Sequence, residues 1–390
     1  MASNPLSLVY NLRHISRRRT QSLFTIVGIA LVVFVFVATL MLEEGLRFTL
    51  ASTGSLENAI VLRVGAENEI QSGVNREAAS VIEMDPSVAT DADGNRLLTK
   101  DVVVLISMKK RVDGQPSNVN VRGVLPAARM LRDGITIIEG RLPTPGTREV
   151  MLGRAIHTRF LNTDIGSQIR MVGTEWTVTG IFDPGMSAFG SEIWGDVDIL
   201  LPAFRRDRFS SVTYRLNGSE PFDVIKERLE SDKRLSVTVI REQEFYARQS
   251  RVLGLFIRYV GIFVSVVFSL GAMIGAMITM YSAVANRTRE IGILRALGFA
   301  RNVVFRAFLR ECVVLSLIGG VGGLVLASLL VFAHISTTNF QTFSELGFGF
   351  RITPRIAISG MIFALIMGTL GGALPALRGA RLRILTALKD

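Results

Sequence analysis

Residues 286–311 read NRTREIGILRALGFARNVVFRAFLRE, with six arginines and two glutamates set between two long uncharged runs. Ile291, Leu294 and Leu297 recur every third residue, which predicts one apolar stripe on a short helix, with Arg289, Glu290 and Arg295 off it. Thr288 stands where a helix start is capped, and Gly298 where a left-handed residue ends one. The chemistry open to such residues is binding: an amphipathic helix that docks into a protein partner. Their charge also fits a second reading, a basic loop that orients the flanking spans. Catalytic spacing is missing from the chain. It has no G-x-x-x-x-G-K-[ST] to cradle ATP phosphates, no H-E-x-x-H and no G-x-S-x-G. His14, His157 and His334 lack metal-ligand spacing, and the lone Cys312 excludes an internal disulfide and reads as a small apolar filler. We read the chain as non-catalytic, with no metal or cofactor of its own.

The segment TREIGILRALGFAR resembles the cytoplasmic coupling segment of MacB/FtsX-like ABC transporter permeases. There a run of the form R-E-I-x-I-L-[RK]-A-[LIM]-G follows the second transmembrane helix. The matching residues are Arg289, Glu290, Ile291, Ile293, Leu294, Arg295, Ala296, Leu297 and Gly298. The resemblance implies that Arg289, Glu290, Ile291, Leu294, Arg295, Leu297 and Gly298 couple the chain to a separate ABC ATPase, which binds ATP and Mg.

The elements that must hold this segment are membrane spans. About half of the residues are apolar (49%) and the mean hydropathy is +0.39. A net charge of +11 invites a nucleic-acid reading, but its distribution argues otherwise. Segments 1–19, 287–311 and 378–390 carry the entire excess, and the remaining 30 basic and 30 acidic residues cancel. A basic excess confined to span-flanking segments is the positive-inside signature, with the bilayer and no nucleic acid as partner.

In chain order, 1–19 is a basic cytoplasmic arm and 20–42 the first span, too long for a signal h-region and expected to be retained. Residues 43–250 form a large extracytoplasmic domain with no run long enough to span. Strand-like runs are predicted at 59–64, 101–108, 118–124, 168–172, 175–182, 197–201, 211–216 and 236–240, with helices at 76–84, 153–161 and 222–230. The mixture predicts an α+β domain. Part of it adds to the resemblance: Gly140 and Arg141, Glu149 to Gly153, Gly166, Ile169 and Val178 to Ile181 match the family's extracytoplasmic pattern. The family implies two lobes here, one built from both ends of the domain and one inserted between them.

A stalk and second span occupy 251–286, and the helical spacing of 242–258 runs into it, so 242–286 reads as one rod. The coupling segment is 287–311. The third span, 312–333, must start after Arg306, Arg310 and Glu311, because each mid-membrane charge costs about 2.5–3.5 kcal/mol. An outer loop at 334–355, a fourth span at 356–377 and a basic cytoplasmic tail at 378–390 complete the chain. The tail resembles the family's ending through Pro375, Ala376, Arg378, Ala380, Leu382, Ala387 and Leu388, with Leu385 near the place of a missing second proline. Small residues at four-residue spacing, Gly271/Gly275, Gly319/Gly323 and Gly368/Gly372, predict close helix packing within the chain or across a dimer. No Asp, Glu, Lys or Arg pair lies inside the four spans, which argues against an ion-driven pump.

The sequence therefore predicts a four-span membrane protein with a large α+β extracytoplasmic domain between spans one and two. The resemblance implies a permease subunit in a bacterial inner membrane, both termini cytoplasmic and the large domain periplasmic or extracellular. It implies a homodimer or a pair with a paralogous permease, and mechanical transmission of ATPase closure to the outer domain. The expected work is export or extraction of an envelope substrate, with a periplasmic adaptor as further partner. The alternative is an FtsX-like regulator that drives a cell-wall hydrolase or another periplasmic partner.

Overall fold

The computed structural model describes residues 19–132, 134–185, 187–338 and 344–382. The basic arm at 1–18 and the end of the tail, with Leu385, Ala387 and Leu388, lie outside the described residues. The elements run α1 (Arg19–Ala51), β1 (Asn58–Arg63), α2 (Arg76–Glu83), β2 (Leu98–Lys109), β3 (Pro116–Val124), α3 (Ala128–Leu131), β4 (Thr136–Gly140) and β5 (Glu149–Gly153). Then come α4 (Arg154–Arg159), β6 (Gln168–Met171), β7 (Thr174–Asp183), β8 (Glu192–Asp196), α5 (Val197–Ala203), β9 (Ser211–Arg215), α6 (Phe222–Ser231) and β10 (Val237–Arg241). The chain ends α7 (Glu242–Ala285), α8 (Thr288–Ala296), α9 (Arg301–Ser328), β11 (His334–Thr338), β12 (Glu345–Gly349) and α10 (Pro354–Ala380).

Four of these helices, α1, α7, α9 and α10, are long and apolar enough to cross a membrane. The chain divides into two compact units, one of Met1–Glu44, Leu255–Ala333 and Phe350–Asp390, the other of Gly45–Gly254 and His334–Gly349. In the first, α1 packs on α9 and α10 through Ile29, Val33, Val37 and Met41 against Ala327, Ala364 and Met367.

The second unit is built on one continuous sheet, ordered β10-β1-β9-β2-β3-β8-β5-β7-β4 with β6 on β7. Two lobes share it. Residues Leu98 to Asp101 of β2 pair with β9, and Val102 to Lys109 pair with β3. The first lobe therefore comes from both ends of the domain (β1, β9, β10, α2, α6), and the inserted lobe from the middle (β3 to β8, α4, α5). In β1 the pleat is buried on both sides: Ala59 and Val61 enter the main core, while Ile60 and Leu62 meet a second, aromatic core. Alternation of side chains across a strand delivers one set to each face. The aromatic core holds Phe182, Phe189, Trp194, Phe245 and Tyr246, so the first turn of α7 is seated inside the domain.

Three expectations change. Residues 197–201 form a helix, α5, not a strand: Asp196 accepts from the Asp198 N–H, and Val197, Leu200 and Leu201 fall at helical spacing on a buried face. Within the expected outer loop 334–355, β11 and β12 pair antiparallel and belong to the second unit. The first helix continues past residue 42 to Ala51, because Leu46 and Leu50 find burial there. Residues 242–285 do form a single helix. Gly153 leads α4 as the pattern required, and Gly140 takes a left-handed φ of +76° where its strand turns.

Candidate coupling site

Helix α8 sits between the ends of α7 and α9. Thr288 does not cap it. Its hydroxyl donates instead to the carbonyls of Ala285 (2.7 Å) and Val284 (3.4 Å), closing the end of α7. Gly298 takes φ +93° and ends α8, its N–H donating to the Arg295 carbonyl at 3.2 Å.

The predicted apolar stripe splits. Ile291 is 3% exposed and lies in a core with Val284, Val304, Phe308, Cys312, Ala376 and Ala380. Leu294 is half-buried and Leu297 is 72% exposed. The cause is helical geometry: a three-residue step falls about 60° short of a full turn, so three such residues fan round the helix instead of lining up. The exposed apolar face of this segment is Ile293, Leu297 and Phe299, with Arg289 and Glu290 exposed nearby. Arg295 is turned inward as well. Its Nη1 donates to the carbonyls of Ala380 (2.9 Å) and Leu382 (3.3 Å), satisfying the last turn of α10. Arg287 is buried and pairs with Glu311, Nη1 to Oε2 at 3.1 Å. Thus α8 is fixed on one side to α7, α9 and α10 and, among the described residues, exposed on the other.

The small-residue pairs divide in the same way. A Cβ on Gly319 would lie 2.9 Å from the Ile26 carbonyl oxygen, and one on Gly323 would lie 2.6 Å from that of Ala30, so α9 approaches α1 at backbone distance. Gly368 and Gly372 admit Ser316 and Cys312 in the same manner, joining α10 to α9. A Cβ on Gly271 or Gly275 would meet no atom within 4 Å among the described residues beyond its own helix. Both glycines line a groove of about 530 Å³ between α1 and α7, walled by Phe24, Gly28, Leu31 and Val35 on the α1 side. At their crossing, α1 and α7 meet at Gly261, whose Cβ would strike Thr39, a contact not visible in the spacing of the glycines.

The domain core also hides an ion cluster that hydropathy could not reveal. Arg122 on β3 donates to Glu69 (Nη1–Oε1 2.7 Å, Nη2–Oε2 2.7 Å), Glu192 (Nε–Oε2 2.7 Å, Nη2–Oε1 2.9 Å) and Asp101 (3.0 Å). Arg132 donates to Asp101 (2.5 Å) and Glu242 (3.4 Å), with Phe189 and Trp194 stacked on its guanidinium. Both arginine side chains are 1% exposed. Burial would push the Glu69 carboxyl up, but Arg122 and Ser211 hold it down at about 2. The one signal in the sequence is an arginine among the alternating valines of NVNVRGV, opposite in facing to Val119 and Val121.

Four apolar helices, a two-lobed sheet domain between the first and second, and a short helix between the second and third define a membrane protein with an extracytoplasmic domain. Residues 22–232 match the MacB-like periplasmic core domain and residues 262–384 the FtsX-like permease C-terminal region. The first match alone covers more than half of the chain, and the chain belongs to this family, the ABC transporter permeases of MacB/FtsX type. It is 23% identical over 413 residues to the ABC transporter permease MJ1507 of Methanocaldococcus jannaschii, covering 98% of this chain and 97% of that one. It is 26% identical over 386 residues to the macrolide export ATP-binding/permease protein MacB of Hahella chejuensis, across 84% of this chain and 54% of the relative. The ABC transporter permease YknZ of Bacillus subtilis is 26% identical over 239 residues, 57% of this chain and 55% of its own. Among solved structures, the periplasmic region of MacB from Actinobacillus actinomycetemcomitans aligns with a TM-score of 0.38 at 13% identity, over 50% of this chain and 92% of that one.

Proposed function

We propose that this chain is the permease subunit of an ABC complex whose ATPase is a separate polypeptide, and that it passes ATPase closure to the outer domain as movement. The observation that carries this reading is the two-sided nature of α8. One side is tied to three long helices by Ile291 and Arg295, and the other offers Ile293, Leu297 and Phe299 to a partner. From the end beside α8, α7 runs unbroken to Glu242 and Tyr246 inside the domain core, so a push on α8 has a continuous element to follow. ATP and Mg belong to the partner, as this chain has no phosphate-cradling loop. The orientation follows the basic excess, with α8 and both termini cytoplasmic in a bacterial inner membrane. The open face at Gly271 and Gly275 suits pairing with a second copy or a paralogous permease.

The work served is export or extraction of an envelope substrate, with a periplasmic adaptor as the outer partner. The test uses Ile293→Asp and Leu297→Asp together. The double variant should insert and fold normally but copurify with its ATPase at least tenfold less well. Undiminished copurification refutes docking at α8. A cell-wall hydrolase captured by the full chain, in place of an adaptor, replaces export with regulation.

A further inference from the structure

The inserted lobe is held at two places by chain that leads into the long helices. The first hold is the ion cluster, which lies where β2 changes partners at Asp101. Glu242 and Tyr246, from the first five residues of α7, contact it: Glu242 accepts from Arg132, and the Tyr246 hydroxyl donates to Glu69 at 3.1 Å. The Glu242 carboxylate is also anchored to the first lobe, accepting from Asn58 Nδ2 at 2.8 Å and the Ser55 N–H at 3.1 Å.

The second hold is the hairpin β11–β12. Glu345 is 5% exposed and receives three side chains of the inserted lobe: Lys110 (Nζ–Oε2 2.9 Å), Ser117 (Oγ–Oε2 2.8 Å) and Arg159 (Nη1–Oε1 3.8 Å). Arg159 also donates to the Ile335 carbonyl at 3.1 Å, and the Gly347 N–H donates to the Ser191 hydroxyl at 3.0 Å. Leu346 and Phe348 are buried. Burial would raise the Glu345 carboxyl, but Ser336, Lys110 and Ser117 hold it below the ordinary range. A connection that only joined two antiparallel helices would need about 2–8 residues and no buried charge. A small cavity of about 30 Å³ is walled by both holds, Arg122, Glu192 and Tyr246 on one side and Glu345 and Leu346 on the other.

We propose that the β11–β12 hairpin is a second steering arm for the inserted lobe, with Glu345 its positioning residue. α7 acts on the lobe through Glu242 and Tyr246, while α9 and α10 act on it through Glu345. The angle between the lobes then follows the difference in movement between α7 and the α9–α10 pair. This goes beyond docking at α8, and its test needs no ATPase, so its failure leaves that docking standing.

The experiment uses the full chain in lipid nanodiscs, in a Cys312→Ala background, with spin labels at the exposed positions Glu175 (inserted lobe) and Glu227 (first lobe). Glu345→Lys should raise hydrogen exchange at the Gly347 amide at least tenfold and shift or broaden the distance between labels. Lys110→Glu added to it should restore both. Ser191→Ala, which removes only a hydroxyl, should move both readouts less and in the same direction. The proposal is overturned if Gly347 becomes labile while the distance between labels stays as in the parent, since the hairpin is then a passive passenger. It is equally overturned if Glu345→Lys leaves Gly347 protected.

Discussion

Replacing Arg122 with methionine isolates the energetics of the ion cluster. Methionine fills much of the arginine stem's volume but leaves Glu69 and Glu192 without their guanidinium, while Asp101 keeps Arg132. Removing one partner of a buried ion pair costs about 3–5 kcal/mol, against about 5–15 kcal/mol for a whole domain. The assay is built into the chain: its two tryptophans, Trp176 and Trp194, are both buried in the inserted lobe. The Trp194 indole N–H donates to Glu192 Oε2 at 2.8 Å, one bond from the perturbation. At about 1–3 kcal/mol per M urea, the midpoint of the tryptophan transition should fall by roughly 2 M. The gap between variant and parent should narrow on acidification. Without Arg122, burial raises the Glu69 pKa above its unfolded value, so the cost is present at neutral pH and fades as the carboxyl takes up a proton. A midpoint within ~0.3 M of the parent, or a gap that stays constant from about pH 7 to about pH 4, would refute this account of the cluster.

In the parent, Glu69 titrates at about 2 against an ordinary 4.5, so its contribution is complete above 4.5 and is lost as pH falls towards 2. Glu69→Gln should flatten the acid limb of the same tryptophan signal over that window. Ile291→Asp places an unpaired charge at a site 3% exposed and should collapse the yield of folded protein, whereas Leu297→Asp, at 72%, should leave yield and melting temperature unchanged. Gly323→Leu forces a side chain against the Ala30 carbonyl and Val33, and should lower the melting temperature in detergent by an amount equivalent to about 1–3 kcal/mol. Gly271 lines an open groove and its Cβ would meet none of the described residues, so Gly271→Leu should not; if copies pair there, Gly271→Cys should instead cross-link between chains in the membrane.

The spans were legible because hydropathy over a long window has few competing explanations, and most strands because Val, Ile and Thr alternate in them. Val197 to Leu201 misled because a short apolar run suits strand or helix, and the deciding group, the Asp196 cap, precedes it. The hairpin escaped notice because Glu345 looks like a solvated loop charge until Lys110, Ser117 and Arg159 from distant parts of the chain surround it. The same holds for Arg122, whose carboxylate partners lie 21 to 70 residues away. In α8 the residue types suggested docking, but which of them faced outward depended on α9 and α10, whose packing claimed Ile291 and Arg295. Periodicity along one helix cannot specify which neighbours will cover it.

The division of β2 between two partners has a mechanical consequence. Its first four residues are stitched to β9 and its remaining eight to β3, by backbone bonds that run across the strand. A load drawing the lobes apart lengthwise would strain both sets of stitches in shear, all at once, and meet high resistance. The domain is thereby stiff to stretching along this axis, as a lap joint is stiff along its overlap.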